Sequence, residues 1–252
     1  MEMLFLGTGT SYGVPMIGCK CEVCRSKDPR NRRTRASVLF QYGTHSVLVD
    51  TAIDLREQLL AADVDRLDAV LFTHGHADHL HGLDDLRGIS RQHGEVDLYA
   101  NAETVAVIRR SFSYIFDGRE QPSEVPMLRL HTLDGPIDLF GETFWPIELE
   151  HGKAPVLGFR VHDIAYLTDC SAIPEKSLRM LGSLDVLVLG AVRFRPHPTH
   201  FSVDEALEVI DILKPRRAYL THISHDLDHQ TVNDMLPEGV QLACDGLRVK
   251  AG

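Results

Sequence analysis

The chain has 252 residues and a formal net charge of −10, with 44% apolar and 25% charged residues. This length and composition exclude intrinsic disorder and a small disulfide-stapled scaffold, and they leave enough apolar surface for a large core. The acidic balance speaks against a general nucleic-acid binder, which needs a basic surface, and no apolar run approaches the roughly 18 residues of a membrane span.

In chain order, the first predicted element is an apolar strand at 3–6, closed by Gly7-Thr8-Gly9-Thr10. Glu2 stands where a signal peptide carries positive charge, so a cytoplasmic protein is expected. A long loop then extends to about Arg35. It holds three of the five cysteines, Cys19, Cys21 and Cys24, a spacing that in a cytosolic chain suggests metal more than disulfides. It also carries Arg25, Lys27, Arg30, Arg32, Arg33 and Arg35, which suit an anionic-substrate rim, a nucleic-acid patch or a plain solvated loop. Strands at 37–41 and 46–50 pair across Tyr42-Gly43-Thr44. A helix at 54–62 precedes a buried strand at 68–73, and a strand at 96–100 precedes a helix at 102–112. From 128 to 168 the signal changes to several short strands, with turns at Asp134-Gly135, Phe140-Gly141 and His162-Asp163. A helix at 174–181 has proline in its first turn, and a strand follows at 185–189. Ser202 to Glu205 match a capping box, after which Ala206, Leu207, Ile210 and Leu213 keep helical spacing. Strands at 217–221, 240–243 and 247–250 finish the chain. Strands and helices alternate on both sides of a β-rich middle, and no Pro/Gly/Ser-rich linker divides them. This predicts one α/β domain over 1–252, with two sheets covered by helices.

The chain has 14 histidines, and four of them, His74, His76, His79 and His81, fall within eight residues. The strand at 68–73 delivers His74-Gly75-His76-Ala77-Asp78-His79. Alternate residues of an extended segment point the same way, and the Asp78-His79 step can turn toward the same cavity. Imidazole and carboxylate suit zinc, iron and manganese, and this many donors can hold two metals. Later, His151, Asp169 and His222 each follow a predicted strand, at 143–150, 164–167 and 217–221. Ends of parallel strands gather on one sheet edge, where α/β sites form.

The string His74-x-His76-x-Asp78-His79 resembles the signature of the metallo-β-lactamase-fold hydrolases, and the ordered His151, Asp169 and His222 extend the resemblance over nearly the whole chain. It implies an αββα fold, two β-sheets sandwiched by helices. It also implies that His74, His76 and His151 hold one metal, that Asp78, His79 and His222 hold the other, and that Asp169 bridges them. Two cations about 3.5–4 Å apart make a bridging hydroxide available at neutral pH, so no Ser or Cys nucleophile is needed. No Gly-x-Ser-x-Gly elbow is present, and Cys170 reads as a small packed residue.

His200, just ahead of the helix capped at Ser202, resembles the non-ligand histidine of the ribonuclease Z and phosphodiesterase branch, which contacts phosphate and protonates a leaving alkoxide. The helix N-terminus beside it would suit an oxyanion. His197 is an open candidate for the same surroundings. Asp78 is given a part in proton handling besides ligation. The opening Gly7-Thr8-Gly9-Thr10 is similar to that branch too, its glycines allowing close backbone approach.

Cys19-x-Cys21-x-x-Cys24 with a distant His225 resembles the cyclic phosphodiesterases of bacterial phosphonate breakdown, which hydrolyse phosphoribosyl 1,2-cyclic phosphate. Three thiolates need a fourth partner to close a tetrahedral structural zinc site. The expectation is thus a dinuclear metal-dependent phosphodiesterase for small or cyclic phosphodiesters. Its cofactors would be two divalent active-site metals, zinc, manganese or iron, and one structural zinc. The resemblance also implies a homodimer. The alternatives are a ribonuclease Z-like nuclease, a thioesterase or lactonase on the same fold, and a silent metal-stabilised binding protein. The absent Gly/Pro-rich basic arm and the net charge disfavour the first, and His200 disfavours the second.

Overall fold

Apolar residues at every second position of the strands build two sheets that share a core. The computed structural model describes residues 1–119 and 123–250. The first sheet takes β1 (Glu2–Gly7), β2 (Ser37–Tyr42), β3 (His45–Val49), β4 (Ala69–Leu71), β5 (Val96–Ala100) and β6 (Leu128–Thr132). The second takes β7 (Ile137–Leu139), β8 (Glu142–His151), β9 (Ala154–Val161), β10 (Ile164–Leu167), β11 (Val186–Gly190), β12 (Arg217–Thr221) and β13 (Val240–Leu242). A last strand, β14 (Arg248–Lys250), returns to the first sheet beside β1, so each sheet has seven strands. The helices are α1 (Glu22–Arg25), α2 (Leu55–Ala61), α3 (Ala77–Leu80), α4 (Leu86–His93), α5 (Ala102–Ser111), α6 (Ser113–Phe116), α7 (Glu175–Leu178), α8 (Val203–Leu213) and α9 (His229–Asn233).

The period of two is clearest in β11. Val186 and Val188 face the layer between the sheets, with Phe5, Phe40, Phe144, Phe159 and Tyr166, while Leu187 and Leu189 face the layer under α8 with Ala206 and Ile210. A third layer packs Leu55, Leu59, Leu86, Ile89 and Ile108 of α2, α4 and α5 on the outside of the first sheet. This is the expected αββα stack. Among the described residues no helix is long and apolar enough to cross a membrane.

Strand direction places the site. β3 to β6 run parallel in one sheet, and β10 to β13 run parallel in the other. β9 is antiparallel to both β8 and β10, so β8 points the same way as β10. The C-terminal ends of β3, β4, β8, β10 and β12 carry Asp50, His74, His151, Asp169 and His222.

Several boundaries differ from expectation. The loop before Arg35 is interrupted by α1 and by a 3-10 turn at Pro29–Asn31, whose capping residues Cys21 and Asp28 each accept a backbone N–H. The middle is not a set of short strands: β8 has ten residues and β9 eight, joined at Gly152-Lys153, and β6 belongs to the first sheet. The helix expected at 174–181 is α7 followed by a 3-10 turn, Arg179–Leu181. The glycines after β1 serve the protein's own backbone. A Cβ on Gly7 would stand 2.0 Å from the Arg35 carbonyl, and one on Gly9 2.8 Å from that of Arg33.

Candidate metal centre

β4 ends at Leu71, and the chain stays extended through His76, which caps α3 with a ψ of 151°. Asp78 and His79 lie in the short helix that follows, and this change from strand to helix aims them at the cavity from a second side. Asp169 and His222 turn in at the ends of β10 and β12 with φ of 50° and 55°. Asp50 does the same at the end of β3 with φ of 65°. Three non-glycine residues in the left-handed region, one at a strand end of the first sheet and two at strand ends of the second, are a concentration of backbone strain of the kind found at functional sites.

These residues converge. The Asp169 carboxylate lies 3.0 Å from His222 Nε2, 3.4 Å from His79 Nε2 and 3.8 Å from His74 Nε2. His79 Nε2 is 3.3 Å from Asp78, and His74 Nε2 is 2.9 Å from His76 Nδ1. His151 Nδ1 donates to the Thr199 carbonyl at 2.8 Å, which leaves Nε2 with a lone pair. Three sets of ligand atoms lie within 4.8 Å of one another: Asp78, His79, Asp169 and His222; His74, His76 and Asp169; His151, Asp169 and His200. Asp169 belongs to all three, as a bridging carboxylate must. His200 falls at ligand distance beside His151, although its sequence position points to a non-ligand role.

Electrostatics bear on what the cluster can hold. Burial works against the charged form of every group here, yet the carboxylates of Asp169 and Asp50 hold His79 well above the ordinary histidine range. Asp169 likewise raises His222 to about 9, against the same burial. Asp169 stays well below the usual carboxylate range because His222 and His79 flank it. A site that stabilises buried imidazolium will also stabilise a cation. Nε2 of His79 and of His222 face carboxylate oxygens at 3.0–3.4 Å, and His222 Nδ1 is buried without a hydrogen-bond partner, an arrangement that is costly unless something ligates these nitrogens. The donor set and these nitrogens fit divalent metals.

Sequence reasoning missed Asp50. It is fully buried and accepts from His79 Nδ1 at 2.7 Å and from Thr73 N and Oγ1, both at 2.8 Å. It thereby fixes the tautomer and ring plane of His79, the service a carboxylate gives a ligating histidine. A lone Asp after a strand reads as a turn residue, so only its place after β3 could have signalled it.

His200 is where the sequence places it, with ring centroids 4.6 Å from His151 and 4.9 Å from His222. His197 lies 4.8 Å behind it, one shell further from the centre. The N-terminus of α8 does not serve as the expected anion site: Ser202 Oγ accepts the Glu205 N–H, and the Glu205 carboxylate accepts the Ser202 N–H at 2.7 Å. The helix already carries its own anion. Cys170 is fully buried and its thiol is pushed up by that burial, which suits a packed residue and not a nucleophile.

A second cluster joins α1 to the loop after β12. Cys19 Sγ and Cys21 Sγ each lie 3.3 Å from His225 Nδ1, and Cys24 completes a set of four within 4.8 Å. The Cys21 N–H lowers the Cys19 thiol, while burial pushes Cys24 up to about 11. Backbone N–H groups of Met16, Cys21 and Cys24 donate to the three sulfurs, as a thiolate shell requires. The basic residues of this loop are largely engaged. Arg33 is 2% exposed and donates to the Ser224 and Leu227 carbonyls, Arg30 pairs with Asp28 and Arg35 with Asp54. Lys20, Arg25, Lys27 and Arg32 stand exposed without such a pair among the described contacts, a small basic group in a chain of net charge −10.

The family description "Beta-lactamase superfamily domain" matches residues 45–223, which hold every donor of the first cluster. A solved structure, a diphosphatase of the PhnP family, is 44% identical, covers 100% of this chain and 98% of its own, and superimposes with a TM-score of 0.94. An octanoyltransferase of Porphyromonas gingivalis is 37% identical over 98% of this chain, which spans only 51% of that relative's length. The zinc-bound PqqB of Methylobacterium extorquens, at 18% identity and a TM-score of 0.83, shares the fold over the full length of both chains. The chain therefore belongs to the β-lactamase superfamily, with a metallo-β-lactamase fold that is PhnP-like.

Proposed function

We infer that this chain hydrolyses small or cyclic phosphodiesters at a dinuclear metal centre. The observation that carries the reading is His200, an imidazole set among the ligand candidates between His151 and His222. His74, His76 and His151 would hold one divalent cation, Asp78, His79 and His222 the other, with Asp169 shared between them. Cations held there would supply an acidified water as nucleophile and would take up negative charge developing on the phosphoryl oxygens. Asp50 orients His79. Asp78 is held ionised below the usual carboxylate range, with His222 and His79 offsetting its burial, which suits an anionic ligand; its part in proton handling would be to accept a hydrogen bond from the nucleophilic water, as too weak a base to keep the proton. His200 donates a hydrogen bond to a phosphoryl or leaving-group oxygen and protonates the departing alkoxide.

The 44%-identical diphosphatase supports a reaction at phosphorus and makes a phosphoanhydride the second reading. Octanoyl transfer finds little support in this chain. Covalent acyl transfer needs an activated nucleophile, and Cys170 beside Asp169 is buried and protonated. The Cys19, Cys21, Cys24 and His225 set is read as a structural zinc site that pins the loop after β1. Pairing of β1 with β14 supports a single-domain reading, and the family resemblance supports a homodimer.

The test is a hydrolysis panel of bis(p-nitrophenyl) phosphate, 2′,3′-cyclic nucleotides, a ribosyl 1,2-cyclic phosphate, a dinucleoside diphosphate, a thioester and a lactone. Turnover is expected on the diesters and far less on p-nitrophenyl phosphate. Turnover confined to the dinucleoside diphosphate selects the second reading, and thioester or lactone turnover without phosphodiester turnover overturns both.

A further inference from the structure

The cavity at the donor cluster is small. It encloses about 120 Å³ between His74, His76 and His151 on one side and Thr104 and Val107 of α5 on the other. Pro155 and Val156, which help to close it, also begin a second cleft of about 390 Å³. Asn101, the residue that caps α5, borders that cleft too. The two spaces are thus neighbours across one pair of side chains.

The second cleft is built from apolar groups. Leu133, Pro146, Leu157 and Met180 form its walls, and the indole of Trp145 lies at its far end. β7 pairs with β8 only through Glu142–Phe144, so among the described residues β8 has no strand partner on its outer side between Trp145 and Leu149, before Ala172 bridges to Glu150, and the cleft borders that stretch. Val156 stands opposite Leu149, which puts about 13 Å of β8 between the mouth of the cleft and Trp145. Most of its polar groups are engaged, and Asp134 stands exposed on its rim. Lys176 and Glu148 pair at 3.6 Å on the rim, the Ser177 hydroxyl donates to the Glu148 carbonyl, and Asn101 Oδ1 accepts the Thr104 N–H. Trp145 is the one tryptophan of the chain and is 45% exposed. An exposed apolar trough beside a reactive centre is a ligand groove by position and by chemistry.

We propose that this cleft is a substrate subsite, resting on the phosphodiesterase reading above, and that it takes an extended apolar ester group while the phosphorus sits at the donor cluster. Because the cleft adjoins the donor cavity at Pro155 and Val156, the occupant is taken to be a group attached to the reacting phosphate. The apolar walls favour hydrocarbon over a sugar, and the Asp134 and Glu148 carboxylates of the lining disfavour a second phosphate.

The experiment compares methyl and octyl p-nitrophenyl phosphate, which share one leaving group, on the metal-loaded protein. KM for the octyl ester is expected about tenfold below that of the methyl ester, with similar kcat. Trp145→Ala should erase that advantage and leave both constants of the methyl ester unchanged, which also shows that the variant is folded. A second readout needs no turnover: octylphosphonate should shift the Trp145 emission saturably, and methylphosphonate should not. Equal KM for the two esters, or an octyl advantage that survives Trp145→Ala, overturns the subsite and leaves the phosphodiesterase reading standing. A saturable emission change with neither ester hydrolysed supports the subsite and overturns the phosphodiesterase reading.

Discussion

His79 and His200 share one cavity and meet opposite fields. His79 is wholly buried, which alone would strip its proton, yet the carboxylates of Asp169 and Asp50 keep the cation favoured. At His200 burial together with His222 outweighs Asp169 and pushes the ring down to about 3. Its proton has to be stabilised by the substrate: a phosphodiester anion against the ring supplies the missing opposite charge. His200→Ala should therefore keep full metal content and lose about 10²–10⁴-fold in turnover on an alkyl leaving group, with a much smaller loss on p-nitrophenolate, which leaves without a proton. Metal analysis is the sharper half of this experiment, because His200 stands at ligand distance from His151 and Asp169. Loss of metal in the variant would make it a ligand. Asp50→Asn acts one shell out: with the acceptor for His79 Nδ1 weakened, metal affinity should fall roughly 10–100-fold. Added metal should restore most of kcat, which a collapsed variant would not allow.

At the scale of elements, the turn that ends β12 decides which cluster each histidine serves. His222 adopts a left-handed φ of 55°, and the chain folds back with Ile223 N donating to the Thr8 carbonyl. His222 is left on the sheet edge with Asp169, while His225, one turn on, meets Cys19 and Cys21. His222→Ala should nearly abolish turnover and spare the thiolate-bound metal. His225→Ala should release that metal and lower the melting temperature, with an activity loss that follows the loss of structure, since closing such a site is coupled to folding. Unchanged metal content and melting temperature in His225→Ala would end the Cys₃His assignment. The positions of both histidines are legible in the sequence because they follow a strand whose buried run is plain at 217–221. The short helices are less legible. α3 and α9 have four and five residues, about one turn each, too little for a 3.6 period to show. In α4 the buried positions are only Leu86, Ile89 and Ser90. The long hairpin of β8 and β9 is obscured for another reason: Pro146 and Gly158 interrupt strands whose place is fixed by their neighbours.

Across the whole molecule, the sheet alternation could be read from composition and turn residues, but the contacts that close the fold could not, because they join residues far apart in sequence. Asp245, in the turn before β14, is the plainest of these. Its Oδ1 accepts from Thr8 Oγ1 at 2.7 Å, 237 positions away, and its Oδ2 accepts from Thr34 N and Oγ1 at 2.7 and 2.8 Å. The end of β1, the start of β2 and the final turn are thus tied through one carboxyl. Burial raises that carboxyl to about 6 from an ordinary 3.8, and the three hydrogen bonds only partly offset it. Between those values the folded protein binds more protons than the unfolded chain, so this group's contribution to stability falls as pH rises from about 4 to about 6 and is level above that. The difference amounts to at most about 3 kcal/mol. Asn fits the same contacts: its Oδ1 can accept from Thr34 and its Nδ2 can donate to the Thr8 hydroxyl, as the protonated acid does. Asp245→Asn should fold, and it should gain stability relative to the parent as pH rises through that window, because the variant has no charge to bury. Denaturant unfolding of both proteins at pH 4, 5, 6 and 7 measures the gap directly. A gap that stays constant, or one that closes as pH rises, would show that the buried carboxyl ionises in the folded protein no less easily than in the unfolded chain.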